Sequence, residues 1–151
     1  MCQDLNEIYI PISKLRAKPR MTRGKKWKHK TYFAWVEELV TLARAQGFFE
    51  LAPQHEVVFY VPFLAKMKKP ERETLTGKNA AHQRTPDLDN LWKALNDSLL
   101  PHSDRGDSMV WAGIPIKIWS EKAGIYIKNL SPDDPRIWAI VERANNFKEK
   151  R

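Results

Sequence analysis

Segments with the pattern of β-strands alternate along this chain with segments that have the pattern of α-helices, and this order constrains the fold more than any other feature. Strands are predicted where β-branched and aromatic residues are dense, at residues 6–12, 55–63, 108–119 and 125–128. Helices are predicted where apolar residues recur at helical spacing, at residues 31–46, 86–100 and from 133 or 134 to about 145. The order β-α-β-α-β-β-α predicts an α+β domain in which helices pack on a sheet.

Each predicted helix has an apolar stripe, and the first two have recognisable ends at Gly47 and Pro101. The stripe of the first helix consists of Phe33, Val36, Leu39, Val40 and Ala43. That of the second consists of Leu88, Leu91, Trp92, Leu95 and Leu99. In the third helix, the stripe consists of Ile137, Ile140, Val141 and Ala144. We expect the first two stripes to face the core.

The length of 151 residues fits one domain, which we assign to residues 1–151. No stretch approaches the ~18 apolar residues of a membrane span, and the N-terminus lacks the apolar core of a signal peptide. The single cysteine, Cys2, excludes an intramolecular disulfide and a cysteine-rich zinc site. We therefore expect a cytoplasmic protein with no membrane partner. The four histidines lack the spacing of metal ligands and are expected at the surface or in loops: His29, His55, His82 and His102.

Positive charge is concentrated in two parts of the chain. Lysine and arginine number 26 against 18 acidic residues, and the net charge of +8 favours a polyanionic partner such as nucleic acid. Nine basic residues fall between residues 14 and 30, and no acidic residue occurs from 8 to 36. We predict an ordered basic loop after the first strand, with a disordered basic arm as the alternative. The second tract, residues 66–84, is predicted to be a long exposed loop.

Directly after the second basic tract the sign of the charge reverses. Between residues 87 and 107 there are five aspartates and no glutamate. Asp89, Lys93 and Asp97 lie one helical turn apart on the second predicted helix. Asp87 and Asn90 stand beside Asp89 in the first turn of that helix.

Asp107 is expected to open the strand that follows this helix, after a connection of six residues. If that strand packs beside the helix, Asp107 returns toward Asp87 and Asp89. Three converging carboxylates suit a hard cation such as Mg²⁺, which binds jointly to carboxylates and to a substrate phosphate. The alternative is purely structural: aspartates in a first turn stabilise the helix dipole, and Asp89 and Lys93 form an ordinary ion pair.

The stretch from Thr85 to Leu99, which begins Thr-Pro-Asp-Leu-Asp-Asn-Leu-Trp-Lys, resembles the signature of the RusA family of Holliday junction resolvases. Residues 10–20, Ile-Pro-Ile-Ser-Lys-Leu-Arg-Ala-Lys-Pro-Arg, resemble the basic loop of that family. The order of elements agrees over residues 7–129, which leaves 130–151 as a C-terminal helical extension. The resemblance implies a homodimer with a mixed sheet, often of phage origin. It further implies cutting of four-way DNA junctions with Mg²⁺, or with Mn²⁺ in its place, in DNA recombination and repair.

By position, the resemblance implies catalytic roles for Asp87, Asp89, Lys93 and Asp107, the three aspartates being the metal ligands. It also implies DNA contacts for a set of basic residues: Lys14, Arg16, Lys18, Arg20, Arg84 and Lys117. Asn90 and Asp97 are auxiliary candidates. Two residues depart from the family's pattern. Gly106 stands where a second acid is usual, and Met109 stands where glutamine is common.

Two other functions remain open for the same residues. One is a less selective nuclease that cuts flaps or forks. The other is a DNA-binding protein without catalytic activity, in which the aspartates only cap a helix. Metal-dependent cleavage of a four-way junction, and its loss on substitution of Asp89, separates these possibilities.

Overall fold

The computed structural model of the chain describes residues 5–19, 29–101 and 106–151, and for Gly106 and Asp107 it describes the main chain only. The described strands are β1 (Glu7–Pro11), β2 (Gln54–Pro62), β3 (Ala112–Ser120) and β4 (Gly124–Asn129). The described α-helices are α1 (Lys30–Ala45), α2 (Lys69–Thr74), α3 (Leu88–Leu99) and α4 (Pro135–Glu149). Single 3-10 turns occur at Gly77–Ala80 and Gly106–Met109. The predicted α+β class is confirmed.

The four strands form one mixed sheet in the order β1-β4-β2-β3. β4 runs antiparallel to β1 and β2, whereas β2 and β3 are parallel, with Phe59 opposite Lys117. Parallel neighbours need a long crossover, and the chain between β2 and β3 contains α2 and α3. β3 lies at an edge of the sheet, in agreement with its Pro115, because proline lacks the N–H that a central strand uses.

One face of the sheet is buried under α1 and α3. Ile10, Phe59 and Ile125 are fully buried on this inner face, and Leu91 and Leu95 of α3 pack against it. Each such side chain contributes about 1.5–3 kcal/mol when it is removed from water. The predicted stripe of α3 is therefore confirmed as a core face. This packing fixes the helix that carries the candidate catalytic residues.

The buried face of α1 differs from the predicted one by part of a turn. Tyr32, Trp35, Leu39 and Ala43 are buried, whereas Phe33 is 39% exposed. The indole N–H of Trp35 donates a hydrogen bond of 2.7 Å to the main-chain oxygen of Lys14. A large aromatic ring can enter the core when its polar atom finds a partner there. The prediction that Phe33 belongs to the core is wrong for this reason.

The opposite face of the sheet, here called the outer face, is open in the single chain. Because strand side chains alternate, it carries Tyr9 of β1 and Ile114 and Ile116 of β3, which are 46%, 37% and 44% exposed. α4 is attached to this side through Arg136, whose guanidinium forms an ion pair of 3.2 Å with Glu56 of β2. None of the residues of α4 is buried. The predicted stripe of this helix thus has no cover within the described part of the chain.

Two predicted elements need correction. The tract 66–84 is not a structureless loop, because it contains α2 and the 3-10 turn Gly77–Ala80. The strand predicted from residue 108 begins only at Ala112, and Asp107 lies in the 3-10 turn Gly106–Met109 before it. β3 begins where its parallel neighbour β2 begins, because Ala112 is paired with Gln54, the first residue of β2. Just before that point the main-chain N–H of Trp111 donates to the oxygen of Pro53 at 3.2 Å.

Within the described residues, no helix has the length and apolar character that crossing a membrane requires.

Candidate active site

Asp87 and Asp89 stand at the N-terminus of α3. Asp87 has extended backbone angles and occupies the N-cap position, where its main-chain oxygen accepts the first helical hydrogen bond from the N–H of Leu91 at 3.1 Å. Its carboxylate makes no capping hydrogen bond. The residue is exposed, and so is Asp89 in the first turn of the helix. The interpretation of Asp87 as a helix cap therefore receives no support from its side chain, which stays accessible to a ligand.

Lys93 lies one helical turn beyond Asp89. Its ammonium nitrogen is 3.7 Å from a carboxylate oxygen of Asp89, and the two side chains are 53% and 68% exposed. An exposed pair of this kind contributes little to stability, with typical values of about 0.2–1 kcal/mol. The ion pair expected from the spacing is thus present. It is loose enough to leave the ammonium accessible to a phosphate beside the two carboxylates.

A buried hydrogen-bonded pair holds α3 against the sheet. The indole N–H of Trp92 donates to Nε2 of His55 on β2 at 2.9 Å, and Nδ1 of His55 lies 2.8 Å from the main-chain oxygen of Ala52. Since indole can only donate, Nε2 accepts, and the ring proton is on Nδ1. His55 is fully buried, and this burial lowers its pKa. The imidazole is therefore a neutral link between two elements.

Gly113 of β3 completes this contact. A Cβ atom at this position would overlap the ring of Trp92. The prediction that His55 lies in a loop or at the surface is wrong, because it is buried within β2, whereas His82 lies in a loop as one alternative predicted and is only 6% exposed there. Sequence reasoning had one usable signal for His55, which is its place in an otherwise apolar strand pattern.

Lys117 reaches from the inner side of the edge strand β3 to the main chain just before Asp87. Its Nζ donates hydrogen bonds to the main-chain oxygens of Arg84 and Pro86, at 2.5 Å and 2.7 Å. Burial lowers the pKa of this ammonium, and the negative charge of Asp87 opposes the shift. Sequence reasoning treated Lys117 as a phosphate contact. In the structure, its donors are directed at the segment that leads into α3.

His82 packs in the same region. Its ring lies 4.2 Å from that of Trp119, and its Nδ1 accepts a hydrogen bond of 3.4 Å from the N–H of Arg84. Its own N–H donates to the main-chain oxygen of Lys117 at 3.1 Å. Burial, with the positive charge of Lys117, lowers the pKa of His82. The segment before Asp87 is therefore bound to β3 at several points.

On the other side of α3 lies the basic segment, residues 13–19. The ammonium of Lys18 forms an ion pair of 2.7 Å with Asp97, and the N–H of Lys18 donates to the main-chain oxygen of Asn90 at 3.1 Å. The hydroxyl of Tyr32 is 3.5 Å from the same carboxylate, and burial together with the charge of Asp97 raises the pKa of Tyr32 to about 12. Asn90 and Asp97 thus anchor the basic segment, and residues 20–28 of the predicted basic loop lie outside the described residues.

The basic residues differ in how accessible they are. Lys14 is exposed, Arg16 is half-buried, and Arg84 is exposed. The ammonium of Lys18 is already paired with Asp97. The prediction for Arg20 falls outside the described residues. The basic segment therefore contacts α3 at Asn90 and Asp97, and Arg84 precedes Asp87 by three residues.

Asp107 lies in the 3-10 turn Gly106–Met109, which packs against α3. Its side chain is outside the described part, so the structure places its turn against α3 and leaves the approach of its carboxylate to Asp87 and Asp89 an expectation from the sequence. The described residues contain no group of three or more His, Cys, Asp or Glu side chains that is arranged to hold a metal ion.

Comparison with known proteins adds the decisive observation. Residues 9–128 match the model of the endodeoxyribonuclease RusA family, which is most of the chain. The chain belongs to the RusA family. The matched segment includes the basic segment, α3, the 3-10 turn and β3, whereas α4 lies beyond it. Membership confirms the resemblance and indicates an endodeoxyribonuclease of the Holliday junction resolvase type. Neither the curated proteins nor the solved structures that were compared with this RusA-family chain gave a match.

Proposed function

We propose that this RusA-family protein resolves four-way DNA junctions by hydrolysing phosphodiester bonds with Mg²⁺, in DNA recombination and repair. The observation that carries the proposal is the N-terminus of α3. There, Asp87 and Asp89 present accessible carboxylates that are not used for capping, with Lys93 beside them. The basic segment contacts the same helix at Asn90, and the exposed Arg84 precedes Asp87 by three residues. An acidic centre inside a basic surface is the arrangement that cutting DNA with a cation requires.

The donor chemistry of these residues fits Mg²⁺. Carboxylate oxygens are the ligands this ion prefers, and one or two of them suffice when waters and a substrate phosphate complete the shell. Asp87 and Asp89 supply two, and we assign the third to Asp107, whose turn packs against the same helix. The same oxygen donors suit Mn²⁺, which we expect to substitute.

The three aspartates and Lys93 have different roles in the proposed hydrolysis. Asp87, Asp89 and Asp107 would hold the cation, which when bound would supply polarisation of the scissile phosphate and a water molecule of lowered pKa. Lys93 places a positive charge one helical turn away, where it stabilises the charge that develops on the phosphoryl oxygens.

DNA contacts are assigned to the cations of the basic segment and to Arg84. Lys14 and Arg84 are exposed and Arg16 is half-buried, and we place Arg20 with the basic segment by its sequence position. Such residues bind phosphates without reading the base sequence. Each phosphate contact contributes about 0.9 to the slope of log affinity against log salt for duplex DNA.

We further propose that the protein acts as a homodimer that is joined through the outer face. This face and α4 carry a group of exposed apolar side chains: Tyr9, Trp111, Ile114, Ile116, Trp138 and Ile140. The charges among them are paired within the chain, since Glu7 bonds Lys128 and Glu56 bonds Arg136. A largely apolar face whose charges at Glu7, Lys128, Glu56 and Arg136 are paired suits a second copy of itself, which a two-fold axis brings together. The two active sites then lie outside the interface.

The test compares four-way, forked and linear duplex DNA, each with and without Mg²⁺. We expect cleavage of the four-way junction in the presence of Mg²⁺, at least about 100-fold faster than that of the linear duplex. Asp89→Asn should abolish cleavage and leave junction binding intact or stronger, because it removes a negative charge from a phosphate site. Asp133→Asn, which neutralises an exposed aspartate near the start of α4, is the matched control and should cleave at the parent rate.

Three results would contradict parts of the proposal. Equal cleavage of forks and junctions indicates the less selective nuclease. Binding without cleavage of any substrate, at any Mg²⁺ or Mn²⁺ concentration, indicates a DNA-binding protein. Cleavage by Asp89→Asn at the parent rate removes Asp89 from the metal site.

A further inference from the structure

The contacts of Lys117 assign it a task other than the phosphate contact suggested by its position in the sequence. Lys117 lies within the regular strand β3, opposite Phe59 of β2. Two of the three donors of its ammonium are directed at the main-chain oxygens of Arg84 and Pro86. An ammonium that binds two carbonyl groups of its own chain has little left for a phosphate.

The main chain of Lys117 binds the same segment a second time. Its carbonyl oxygen accepts the N–H of His82 at 3.1 Å, and the next residue, Ile118, forms a β-bridge with Ala81. Residues 81–86 are thus attached to the edge strand β3 by the main chain of Lys117 and Ile118 and by the side chain of Lys117. The side-chain bonds are those that lie closest to Asp87.

The segment that Lys117 holds determines where the carboxylate of Asp87 lies. Asp87 precedes the first residue of α3 and has extended backbone angles, so the helix does not fix its position as it fixes that of Asp89. The place of Asp87 relative to Asp89 depends on residues 84–86. A loop keeps one conformation only when other groups satisfy its polar main chain.

We propose that Lys117 is a positioning residue, which fixes the main chain of residues 84–86 and thereby holds the carboxylate of Asp87 where it meets that of Asp89 at the cation site. This inference rests on the proposed function, because it assumes that Asp87 is a metal ligand. Partners that orient a ligand typically change metal affinity or activity by about 10–100-fold when they are removed. A positioning role predicts a loss of that size in cation binding with no loss of DNA affinity.

The experiment uses Lys117→Met, which keeps the length of the side chain and removes its donors, and Lys117→Arg, which restores two donors. Lys78→Met is the matched control, since it removes the charge of an exposed lysine in the neighbouring 3-10 turn. Three quantities are measured on the full-length variants: Mn²⁺ affinity by calorimetry without DNA, junction affinity without metal, and hydrogen exchange of the peptide that spans residues 83–90. Single-turnover cleavage is recorded against Mg²⁺ concentration.

For Lys117→Met we expect Mn²⁺ affinity to fall by about 10–100-fold and exchange in residues 83–90 to accelerate. The Mg²⁺ concentration that gives half the maximal rate should rise by a similar factor. Junction affinity without metal should stay within about twofold of the parent. Lys117→Arg should recover most of the loss in Mn²⁺ affinity. Lys78→Met should leave Mn²⁺ affinity and exchange unchanged.

Two results overturn the inference. If Lys117→Met keeps its Mn²⁺ affinity and its slow exchange but loses junction affinity, with the salt slope reduced by about 0.9, Lys117 is a phosphate contact. If it equals the parent in every measurement, Lys117 has no role at the site. Should Lys117→Met fail to fold, Lys117→Gln, which is too short to reach both oxygens, decides between the same outcomes. A parent protein that binds no Mn²⁺ and whose cleavage does not depend on Mg²⁺ refutes the proposed metal site instead, and exchange then still shows whether Lys117 holds residues 84–86.

Discussion

At the scale of single residues, the site combines accessible charged groups with buried groups that hold them in place. Asp87, Asp89 and Lys93 are open to solvent, whereas Trp92, the neighbour of Lys93, is fastened to His55 inside the protein. Adjacent residues of one helix therefore perform opposite tasks. A buried neutral imidazole serves well as the fixed partner, because both its nitrogens are satisfied and it carries no charge that would need pairing.

This arrangement makes stability depend on pH through His55. Burial lowers the folded-state pKa of His55, so the unfolded chain binds its proton first as the pH falls. Neutral His55 contributes its full stabilisation of the fold above about pH 6.5, which is the pKa of this group in the unfolded chain. The stabilisation is lost as the pH falls from there toward the lower pKa of His55 in the folded protein. We expect the free energy of unfolding in urea to decrease by up to about 1.4 kcal/mol per pH unit for this group in that window.

The comparison is with His55→Gln, because the glutamine amide oxygen can still accept the hydrogen bond from Trp92 and the glutamine side chain does not titrate. Urea unfolding of both proteins between pH 7.5 and about pH 5 should give a smaller slope for the variant. Part of the slope should remain, because burial also lowers the pKa of His82. Identical slopes for the two proteins would mean that His55 titrates alike in the folded and unfolded chain.

At the scale of elements, the sequence predicts what is local and misses what depends on register. Asp89 and Lys93 lie on one helix, so spacing alone places them together, and Asp87 is the residue before that helix. Lys117 and His55 come from other strands, and their contacts with α3 depend on how β2 and β3 align. The late start of β3 has the same origin, because its partner begins at Gln54. The rotation of α1 likewise reflects a tertiary contact, the bond from Trp35 to Lys14.

The attachment of the basic segment to α3 is a testable contact between elements. Lys18 and Asp97 are 2.7 Å apart, and their side chains are about one-third exposed, at 32% and 33%. In a double-mutant cycle with Lys18→Met and Asp97→Asn, urea unfolding should give a coupling energy of about 0.5–1 kcal/mol that falls at 1 M salt. The pair Lys69 and Glu73, at 3.9 Å and with side chains 87% and 64% exposed, should give coupling near zero. Equal coupling in the two pairs would show that Asp97 does not anchor the segment.

At the scale of the whole molecule, the two faces of the sheet have different tasks. The inner face is covered by α1 and α3 and so supports the site. The outer face remains apolar and open, and α4, which lies outside the segment matched to the RusA family, adds Trp138 and Ile140 to it. The ring of Trp138 lies 5.9 Å from that of Trp111, which makes the helix and the end of the sheet one continuous apolar surface. A chain with its candidate active site on one side of the sheet and an apolar surface on the other is suited to forming a dimer through the apolar surface.

Pairing through the outer face predicts which substitutions produce a monomer. Ile116→Glu and Trp138→Glu each place a charge at the centre of the proposed interface, where a buried unpaired charge is costly. Sedimentation should give about 35 kDa for the parent, twice the chain mass of 17.6 kDa, and about 17.6 kDa for both variants. Leu64→Glu changes an exposed apolar residue outside that surface, at 38% exposure, and should remain dimeric.

The monomers should still bind Mn²⁺, because Asp87 and Asp89 lie at the end of α3 on the opposite side of the sheet. They should nevertheless lose coordinated cutting of the two strands of a junction, since one chain supplies one site. A parent protein of single-chain mass, or variants that stay dimeric, would place the contact between copies elsewhere.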